Sequence, residues 1–522
     1  MPNRRYQNTA GKKTRRRSSR KNTQHKLKQI MLLSLLVLGI LVADAYRRGN
    51  VKLYQGKHTA KEDTVSKAKD RTETGKPSDK PVESKQTSGD QKQIRVLLST
   101  TDFGSLFHDQ VKLKGTKAVT VTQGKQKQQY PAGKEIVFKA GQKYSDTVHV
   151  EVASGGKLKL CSVTRQDRHP SYRGKMEIKQ TKQGFTVINE LTLREYLYAV
   201  VPSELSTGNK MEALKAQAVC ARTYAYNQLQ SDRFDEYGAD LDDSTASQVY
   251  NNIPEDKRSR KAVNSTAGEV VVRGDDLVTT YYYSTSWGKS ASGKEVWDTA
   301  SEVSYLKSCM QTEGQEDGAS RDLSTDAAFR KFLTGDTAVT YDREADWYRW
   351  QVTISAASLA KRIDAALQSC YQTDASRILT QDKTGEYHQK ALKPMGEIQK
   401  IRVEKRGKSG LVTELVIVGS ENVVKVCSQY NVRKVLSPGE ADIYYGAGKT
   451  QMSLLPSAAF YLDGVTDRKG NLVFEIHGGG CGHGTGMSQC GASQMAKQGK
   501  QYKEILQYYF SGCDVVEKSI IK

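Results

Sequence analysis

Residues 191–229 constrain the fold more than any other stretch of this chain. From Met211, apolar residues recur three or four positions apart, at Leu214, Ala218, Ala221, Ala225 and Leu229. This spacing is typical of a helix face that packs against a core. An apolar run precedes the predicted helix, and a single carboxylate, Glu204, falls between the two in what the pattern predicts to be a short loop.

Two cations lie close to the apolar face of the predicted helix. At 100° per residue, Lys215 and Arg222 project roughly 20–40° from the line through Met211. Because charged side chains are rarely buried without a partner, they predict a polar pocket around Glu204. The alternative is that both cations extend outward into water and Glu204 is a solvated acid at a helix start.

The pKa of Glu204 depends on two opposing influences. The amino end of the following helix lowers it, whereas burial among Val200, Val201 and Leu205 raises it. A general acid that works near neutral pH needs the effect of burial to dominate. Both outcomes are compatible with the sequence.

A glycine-rich segment near the carboxyl end, Gly478–Ala492, supplies a second candidate site. Glycines leave a surface poor in side chains, which a ligand can approach closely. His483 and Gln489 can hydrogen-bond to hydroxyl or amide groups of a ligand, and Ser488 is a further candidate. A strand-like run earlier in the chain alternates so that Ser284 and Ser286 share one face.

These segments resemble the stage II sporulation protein D / LytB (amidase-enhancer) family. The motifs occur in the family's order over about residues 172–513: Leu191–Leu205 with its Pro-Ser-Glu, Glu212–Ala225, Gln248–Tyr250, Tyr283–Ser286 leading to Trp297, and Gly478–Ala492. Several long motifs in the right order make the resemblance specific, whereas one glycine-rich loop would not.

The resemblance implies a lytic transglycosylase that cleaves peptide-free peptidoglycan glycan strands and leaves 1,6-anhydro ends. Glu204 is then the catalytic acid and base, in a cleft that binds substrate. The implied substrate-binding residues are Lys215, Arg222, Ser284, Ser286, His483, Ser488 and Gln489. A cell-wall amidase is the implied partner, and no metal or other cofactor is implied.

Two alternatives remain open. LytB-type relatives are regarded as enhancers of a wall amidase, so the protein could bind glycan without cleaving it. A hydrolase would need a second carboxylate about 5–9 Å from the first. Asp242 and Asp243 are candidates for that role, although turn or cap positions also explain them.

The amino-terminal part indicates an exported protein. Residues 1–28 hold eleven Lys or Arg and no acid, as in a basic cytoplasmic leader, and residues 29–46 follow as an apolar segment. This segment is either a single-pass anchor, which places the body outside a Gram-positive cell membrane, or a signal peptide that is cleaved to release it. Much of the net charge of +22 therefore reflects membrane topology and not nucleic-acid binding.

Composition and periodicity divide the rest of the chain into three predicted parts. Residues 47–93 are polar and charged, which predicts a disordered linker. Residues 94–188 alternate like short strands, which predicts a small β-rich domain. Residues 189–522 form the predicted catalytic domain, with a helical insertion near 322–376. The predicted class is α+β, with a mixed or antiparallel β core and a helix beside the catalytic cleft.

Overall fold

The computed structural model describes residues 89–139, 141–144, 147–299, 301–313, 321–335 and 339–517. The predicted leader (1–28), the predicted membrane segment (29–46) and most of the predicted linker lie outside these ranges. Within them, no helix combines the length and the apolar character needed to cross a membrane.

The described chain is built from α-helices and mainly antiparallel sheets, which confirms the predicted α+β class. The nine α-helices are α1 (Leu193–Glu204), α2 (Met211–Gln228), α3 (Lys257–Ser265), α4 (Gly293–Trp297), α5 (Asp326–Gly335), α6 (Ala356–Thr373), α7 (Gln429–Val435), α8 (Gln489–Lys497) and α9 (Tyr502–Tyr509).

The strands fall into an amino-terminal group and a later group. The first are β1 (Gln93–Leu98), β2 (Gln110–Gly115), β3 (Val119–Gln123), β4 (Gln126–Tyr130), β5 (Glu135–Lys139), β6 (Val148–Val152), β7 (Leu158–Leu160), β8 (Ser171–Tyr172), β9 (Lys175–Thr181) and β10 (Gly184–Thr192). The later strands are β11 (Leu241–Asp242), β12 (Glu269–Arg273), β13 (Asp276–Leu277), β14 (Tyr282–Tyr283), β15 (Trp350–Ser355), β16 (Ile378–Gln381), β17 (Tyr387–His388), β18 (Ile398–Arg406), β19 (Val412–Gly419), β20 (Val423–Cys427), β21 (Ile443–Tyr445), β22 (Gly448–Thr450), β23 (Phe460–Thr466), β24 (Leu472–Gly478), β25 (Met487–Ser488) and β26 (Asp514–Glu517).

One hydrophobic core joins the amino-terminal strands to the helices beside Glu204. A seven-stranded sheet (β11-β1-β10-β9-β6-β3-β4) and a four-stranded sheet (β5-β2-β7-β8) contribute to it, together with α1 and α2. Ile94, Tyr196 and Leu214 are fully buried in this core. Strand β10 spans the domain boundary that the sequence predicts between residues 188 and 189, and helix α1 follows it within this core.

A second hydrophobic core lies in the middle of the chain, between Trp287 and Cys481. It contains two five-stranded sheets, β22-β21-β15-β24-β23 and β17-β16-β20-β19-β18, which pack with helices α5, α6 and α7. After Cys481 the chain returns to the first core at Met487. The inserted body is therefore larger than the helical insertion predicted near 322–376, and it is rich in strands as well as helices.

The ordered fold begins before the predicted end of the linker. Asp90 is fully buried, and its Oδ1 lies 2.9 Å from Nε of Arg222, which is also fully buried. The backbone N–H of Gly268 donates to the same carboxylate. The prediction of a linker up to residue 93 is therefore wrong for residues 89–93, because a buried guanidinium holds this segment in place.

We expect Asp90→Ala to lower the free energy of unfolding by about 3–5 kcal/mol, because it leaves the Arg222 guanidinium buried without a counter-charge. Urea unfolding followed by circular dichroism measures the change. Asp276→Ala, at an exposed position in β13, is the matched control and should change stability by less than about 0.5 kcal/mol. Equal stability of the two variants would contradict the prediction.

Candidate functional site

A cleft of about 1020 Å³ opens beside the carboxyl end of helix α1. Its walls come from the end of α1, the loop before α3, strand β14, helix α7 and the glycine-rich segment. Residues that line it include Arg168, Glu204, Tyr224, Arg233, Val249, Tyr281, Tyr282, Tyr283, Ser284, Trp297, Gln429, Tyr430, Arg433, Cys481, His483 and Gln489. Both hydrophobic cores contribute residues, so the cleft lies where they meet.

Glu204 is the last residue of helix α1 and does not lie in a loop as the sequence predicted. Thr192 and Glu195 form a capping box that starts this helix: the Thr192 hydroxyl accepts from the Glu195 N–H, and the Glu195 carboxylate accepts from the Thr192 N–H. The helix then continues through Pro202. Because helix α2 begins only at Met211, Glu204 lies at the carboxyl end of one helix and not at the amino end of the next.

Burial raises the pKa of Glu204 to about 7. Hydrogen bonds from the Val249 N–H, at 2.6 Å from Oε1, and from the side chains of Tyr282 and Gln489 oppose this rise. The carboxyl end of α1 also disfavours a negative charge. At neutral pH a substantial fraction of Glu204 is therefore protonated and able to donate a proton.

A chain of hydrogen bonds holds the floor of the cleft beside Glu204. The Tyr196 hydroxyl donates to Oε1 of Gln248 at 3.2 Å, and Nε2 of Gln248 donates to the Tyr282 hydroxyl at 3.0 Å. Tyr282 was not among the predicted site residues, although it adjoins the strand-like run that contains Ser284. The alternation of that run, with its neighbouring tyrosines, was the available signal.

His483 lines the cleft within an aromatic cluster of Tyr281, Tyr283 and Trp297, whose ring centroids lie 5.5–6.1 Å from the imidazole. The backbone N–H of Thr485 donates to Nδ1 at 3.2 Å, so the hydrogen of the neutral ring is on Nε2. Burial, and to a lesser degree the nearby Arg433, lowers the pKa of His483 to about 4. The ring is therefore neutral at pH 7 and is a hydrogen-bond donor, not a cation.

Gln489 and Ser284 line the same cleft as Glu204 and His483. Nε2 of Gln489 donates to the backbone carbonyl of Glu204 at 3.1 Å, which links the glycine-rich segment to the end of α1. The Ser284 hydroxyl lies 3.1 Å from that of Thr285. The structure thus brings together four of the eight residues that the sequence nominated.

Ser286 and Ser488 do not line the cleft. Both are fully buried, and both donate to the buried carboxylate of Asp342, at 2.8 Å and 2.5 Å. Asp342 also accepts from the backbone N–H of Ser286. Burial raises the pKa of Asp342 to about 6. The two serines therefore join strand β14 and helix α8 through Asp342, and the prediction that they contact substrate needs this correction.

Lys215 and Arg222 are also outside the cleft. Lys215 pairs with Glu212 on its own helix at 2.8 Å and lies over the ring of Tyr502. Arg222 is fully buried and is held by Asp90, which is also fully buried. Of the two alternatives that the sequence left open for Arg222, the structure shows burial, but the partner of the guanidinium is Asp90 and not Glu204 or a substrate.

Glu204 is the one carboxylate among the cleft-lining residues of the described chain. Asp243 is buried in an ion pair with Arg165 at 2.8 Å, and Asp242 accepts from the hydroxyl of Ser244. Neither of these candidate second acids reaches the cleft. The geometry thus disfavours the hydrolase alternative.

The sequence missed five cleft residues that are suited to carbohydrate binding. Trp297 and Tyr430 are each 43% exposed and present aromatic faces, and Arg168, Arg233 and Arg433 are cations. Only Trp297 belonged to a quoted motif. Trp287, which directly follows Ser286, is fully buried and donates to the Ser409 carbonyl, so it is a core residue and not a sugar-stacking surface.

Potential metal ligands cluster away from the cleft. In the described ranges, three such groups come within 4.8 Å of one another once, at Asp382, Glu386 and His388 in the β16–β17 hairpin. None of them lines the cleft. All eight cysteines lie in the described ranges, and no disulfide joins them.

Comparison with known proteins agrees with the motifs. A family model described as stage II sporulation protein matches residues 181–272, which include Glu204, and a model described as a domain of unknown function matches residues 291–486. The predicted resemblance to the stage II sporulation protein D / amidase-enhancer family is confirmed.

Three relatives illustrate the extent of the similarity. The amidase enhancer of Bacillus subtilis is 27% identical over 60% of this chain but only 39% of its own length. The stage II sporulation protein D of the same organism is 25% identical over 63% of this chain and 76% of its own. An uncharacterized protein of Brachyspira hyodysenteriae is 28% identical over 66% of this chain and 72% of its own.

The raised pKa of Glu204 predicts a specific dependence of stability on pH. Since the folded-state pKa of about 7 exceeds the unfolded value of about 4.3, the associated stability is complete below pH 4 and decreases as the pH rises through 7. Glu204→Gln removes this dependence. Relative to the variant, the wild type should lose on the order of 2 kcal/mol between pH 5 and pH 8 in urea unfolding. Parallel pH curves for the two proteins would contradict the assignment.

Proposed function

We propose that this protein is a lytic transglycosylase that cleaves peptidoglycan glycan strands, with Glu204 as the catalytic acid and base. The observation that carries this proposal is one half-buried carboxylate, with a pKa of about 7, in a cleft that in the described residues contains no second acid. A hydrolase ordinarily uses two carboxylates, one as acid and one as base or nucleophile. A lytic transglycosylase needs only one, because the nucleophile belongs to the substrate.

Glu204 acts twice in this reaction, first as an acid and then as a base. Glu204 donates its proton to the oxygen that joins C1 of N-acetylmuramic acid to N-acetylglucosamine. The C1–O bond breaks, and C1 takes on oxocarbenium-like character. The carboxylate of Glu204 then accepts the proton of the C6 hydroxyl of the same muramic acid as O6 bonds to C1. The products are a 1,6-anhydro end and a free hydroxyl, and Glu204 is again protonated.

The remaining cleft residues bind and orient the sugars in this proposal. The amide of Gln489 and the hydroxyl of Ser284 offer hydrogen bonds to hydroxyl and acetamido groups, and the neutral ring of His483, which is hydrogen-bonded to the Tyr282 backbone, lines the cleft beside them. Trp297 and Tyr430 offer exposed aromatic faces for sugar rings. The Val249 N–H contacts the carboxylate directly, so it stabilises the ionised form after the first proton transfer.

A second candidate function is a non-catalytic enhancer of a cell-wall amidase. The printed name of one relative, amidase enhancer, favours it. Such a protein would need the cleft to bind glycan but would not need a proton donor. The pKa of Glu204 favours the enzyme, because a purely binding carboxylate has no reason to be held near neutrality against the cost of its burial.

The cellular setting that we propose follows from the amino-terminal sequence and the relatives. The apolar segment 29–46 would anchor the chain in the membrane of a Gram-positive cell, and the polar segment that follows would let the body reach the wall. A wall amidase that removes stem peptides would supply the peptide-free strands. The processes that fit are engulfment during sporulation and wall remodelling.

We expect Glu204→Gln to reduce the formation of 1,6-anhydro ends from peptide-free strands by at least about 10²–10⁴-fold, the range of general acid–base catalysis. Mass spectrometry of the soluble products measures this. Glu302→Gln, at an exposed position outside the cleft, should retain full activity. Equal product from both variants would remove Glu204 from the reaction. Glycan binding and amidase stimulation by the wild type without anhydro products would favour the enhancer.

The rate of cleavage should fall as the pH rises above about 7, because the first step needs the protonated form of Glu204. His483 should not contribute to this limb, since it is already neutral there. Initial rates between pH 5 and pH 9 at saturating glycan measure the profile. A rate that increases steadily up to pH 9 would show that Glu204 is not the proton donor.

A further inference from the structure

Helix α7 supplies a wall of the cleft that the stage II sporulation protein match does not include. Gln429, Tyr430 and Arg433 line the cleft from this helix. The helix lies within residues 291–486, which match the domain of unknown function, whereas Glu204 lies within 181–272. The catalytic carboxyl group and this wall therefore come from separate parts of the chain.

Arg433 differs from the other cations of the cleft because it is buried without a counter-charge. Its side chain lines the cleft although the residue is only 4% exposed. Nε donates to the Leu455 carbonyl at 2.9 Å, but Nη2 is buried and has no hydrogen-bond partner. Within the described residues, no carboxylate forms an ion pair with this guanidinium. Burial accordingly lowers the pKa of Arg433.

The other two arginines hold more ordinary positions. Arg233 is exposed, and its Nη1 donates to the Ala246 carbonyl at 2.8 Å. Arg168 is only partly buried, and its Nη2 donates to the Asn251 carbonyl at 2.7 Å. Both can attract an anion over a distance, but water already stabilises their charges. Among these three arginines, Arg433 carries the charge that is most costly to bury without a partner, so it would gain the most from binding an anion.

Arg433 lies where a negative group attached to a bound sugar chain could reach it. It is close enough to His483 to lower the pKa of the imidazole, and Tyr430, one turn earlier on α7, presents an exposed ring. A ligand at this wall would thus place a sugar ring near Tyr430 and a negative group near Arg433. In a peptide-free glycan strand, the negative group is the lactyl carboxylate of N-acetylmuramic acid. When a stem peptide is attached, this carboxylate is replaced by an uncharged amide.

We propose that Arg433 binds the free lactyl carboxylate of a muramic acid residue and thereby makes the cleft select strands whose stem peptides have been removed. This inference rests on the proposed function for the identity of the glycan. Guanidinium and carboxylate match in shape, since two parallel N–H groups can donate to the two oxygens. An amide-linked lactyl group offers one neutral oxygen in the same place and leaves the charge of Arg433 unpaired.

The test compares two synthetic oligosaccharides of alternating N-acetylglucosamine and N-acetylmuramic acid. One carries free lactyl carboxylates, and in the other each is converted to a methylamide. Binding is measured by calorimetry with the full chain carrying Glu204→Gln, so that no cleavage occurs. We expect the carboxylate form to bind at least about 10-fold more tightly. This comparison needs no change at Arg433, so it tests the inference even if variants at that position fold poorly.

Arg433→Gln, added to Glu204→Gln, should abolish this preference: affinity for the carboxylate form falls about 10-fold or more, and affinity for the methylamide is nearly unchanged. Retained methylamide binding shows that the variant is folded. Arg433→Lys should keep part of the preference, and Arg468→Gln, an exposed arginine in the turn after β23, should keep all of it.

The inference would be overturned if the Glu204→Gln chain with Arg433 intact bound both oligosaccharides equally. It would also be overturned if adding Arg433→Gln left the preference unchanged. These outcomes are separate from the fate of the proposed function. If the wild type forms anhydro ends but shows no preference for the carboxylate, only the inference fails. If it prefers the carboxylate but forms no anhydro ends, only the proposed cleavage fails.

Discussion

The buried carboxylate of Asp342 holds together the two bodies that form the cleft. It accepts hydrogen bonds from the hydroxyls of Ser286 and Ser488, and from the backbone N–H of Ser286. Ser286 leads into the central body at Trp287, whereas Ser488 begins helix α8, which packs in the first core. Removing a buried acceptor that serves several donors is costly. The Asp342 side chain therefore reinforces the backbone pairing of strands β14 and β25, which sets how β14 lies against the glycine-rich segment. The positions of Tyr282, His483 and Gln489 around Glu204 all depend on that register.

Local patterns in the sequence predicted the parts of the site that local structure determines. The three/four spacing after Met211 identified helix α2, and the glycine-rich segment and the Pro-Ser-Glu motif identified His483, Gln489 and Glu204. The pattern did not show that Arg222 pairs with Asp90, because 132 positions separate them and Asp90 lies in a stretch with the composition of a linker. Likewise, Ser286 and Ser488 have the spacing expected of cleft residues, but both hydroxyls donate to Asp342, which is far from them in the sequence. Burial and periodicity show that a side chain is inside, but they do not show which partner it has.

The boundary of helix α1 changes the electrostatics of Glu204. The sequence left open whether burial or a helix amino end would control its pKa, since a loop was predicted between an apolar run and the helix that begins near Met211. The signal for the longer helix was present in Thr192 and Glu195, whose spacing is that of a capping box. Once the helix continues to Glu204, the carboxyl group lies at its negative end, and both burial and the helix favour the protonated acid. Three hydrogen bonds bring the pKa back to about 7, so that the same group can release the proton and later recover it.

The division of the cleft between two parts of the chain separates two tasks. The segment that resembles stage II sporulation proteins supplies Glu204 and the backbone that contacts it, and in the proposed function these groups act on the bond that breaks. The part of the chain that matches the domain of unknown function supplies Trp297, Tyr430, Arg433 and His483, which in the proposed function bind the glycan. An enhancer and an enzyme can share the second set of groups, because both need to grip a glycan. They differ in the first set: a groove that only binds gains nothing from a carboxyl group kept away from water and near half-protonation, whereas a group that must give and take a proton within one turnover requires it.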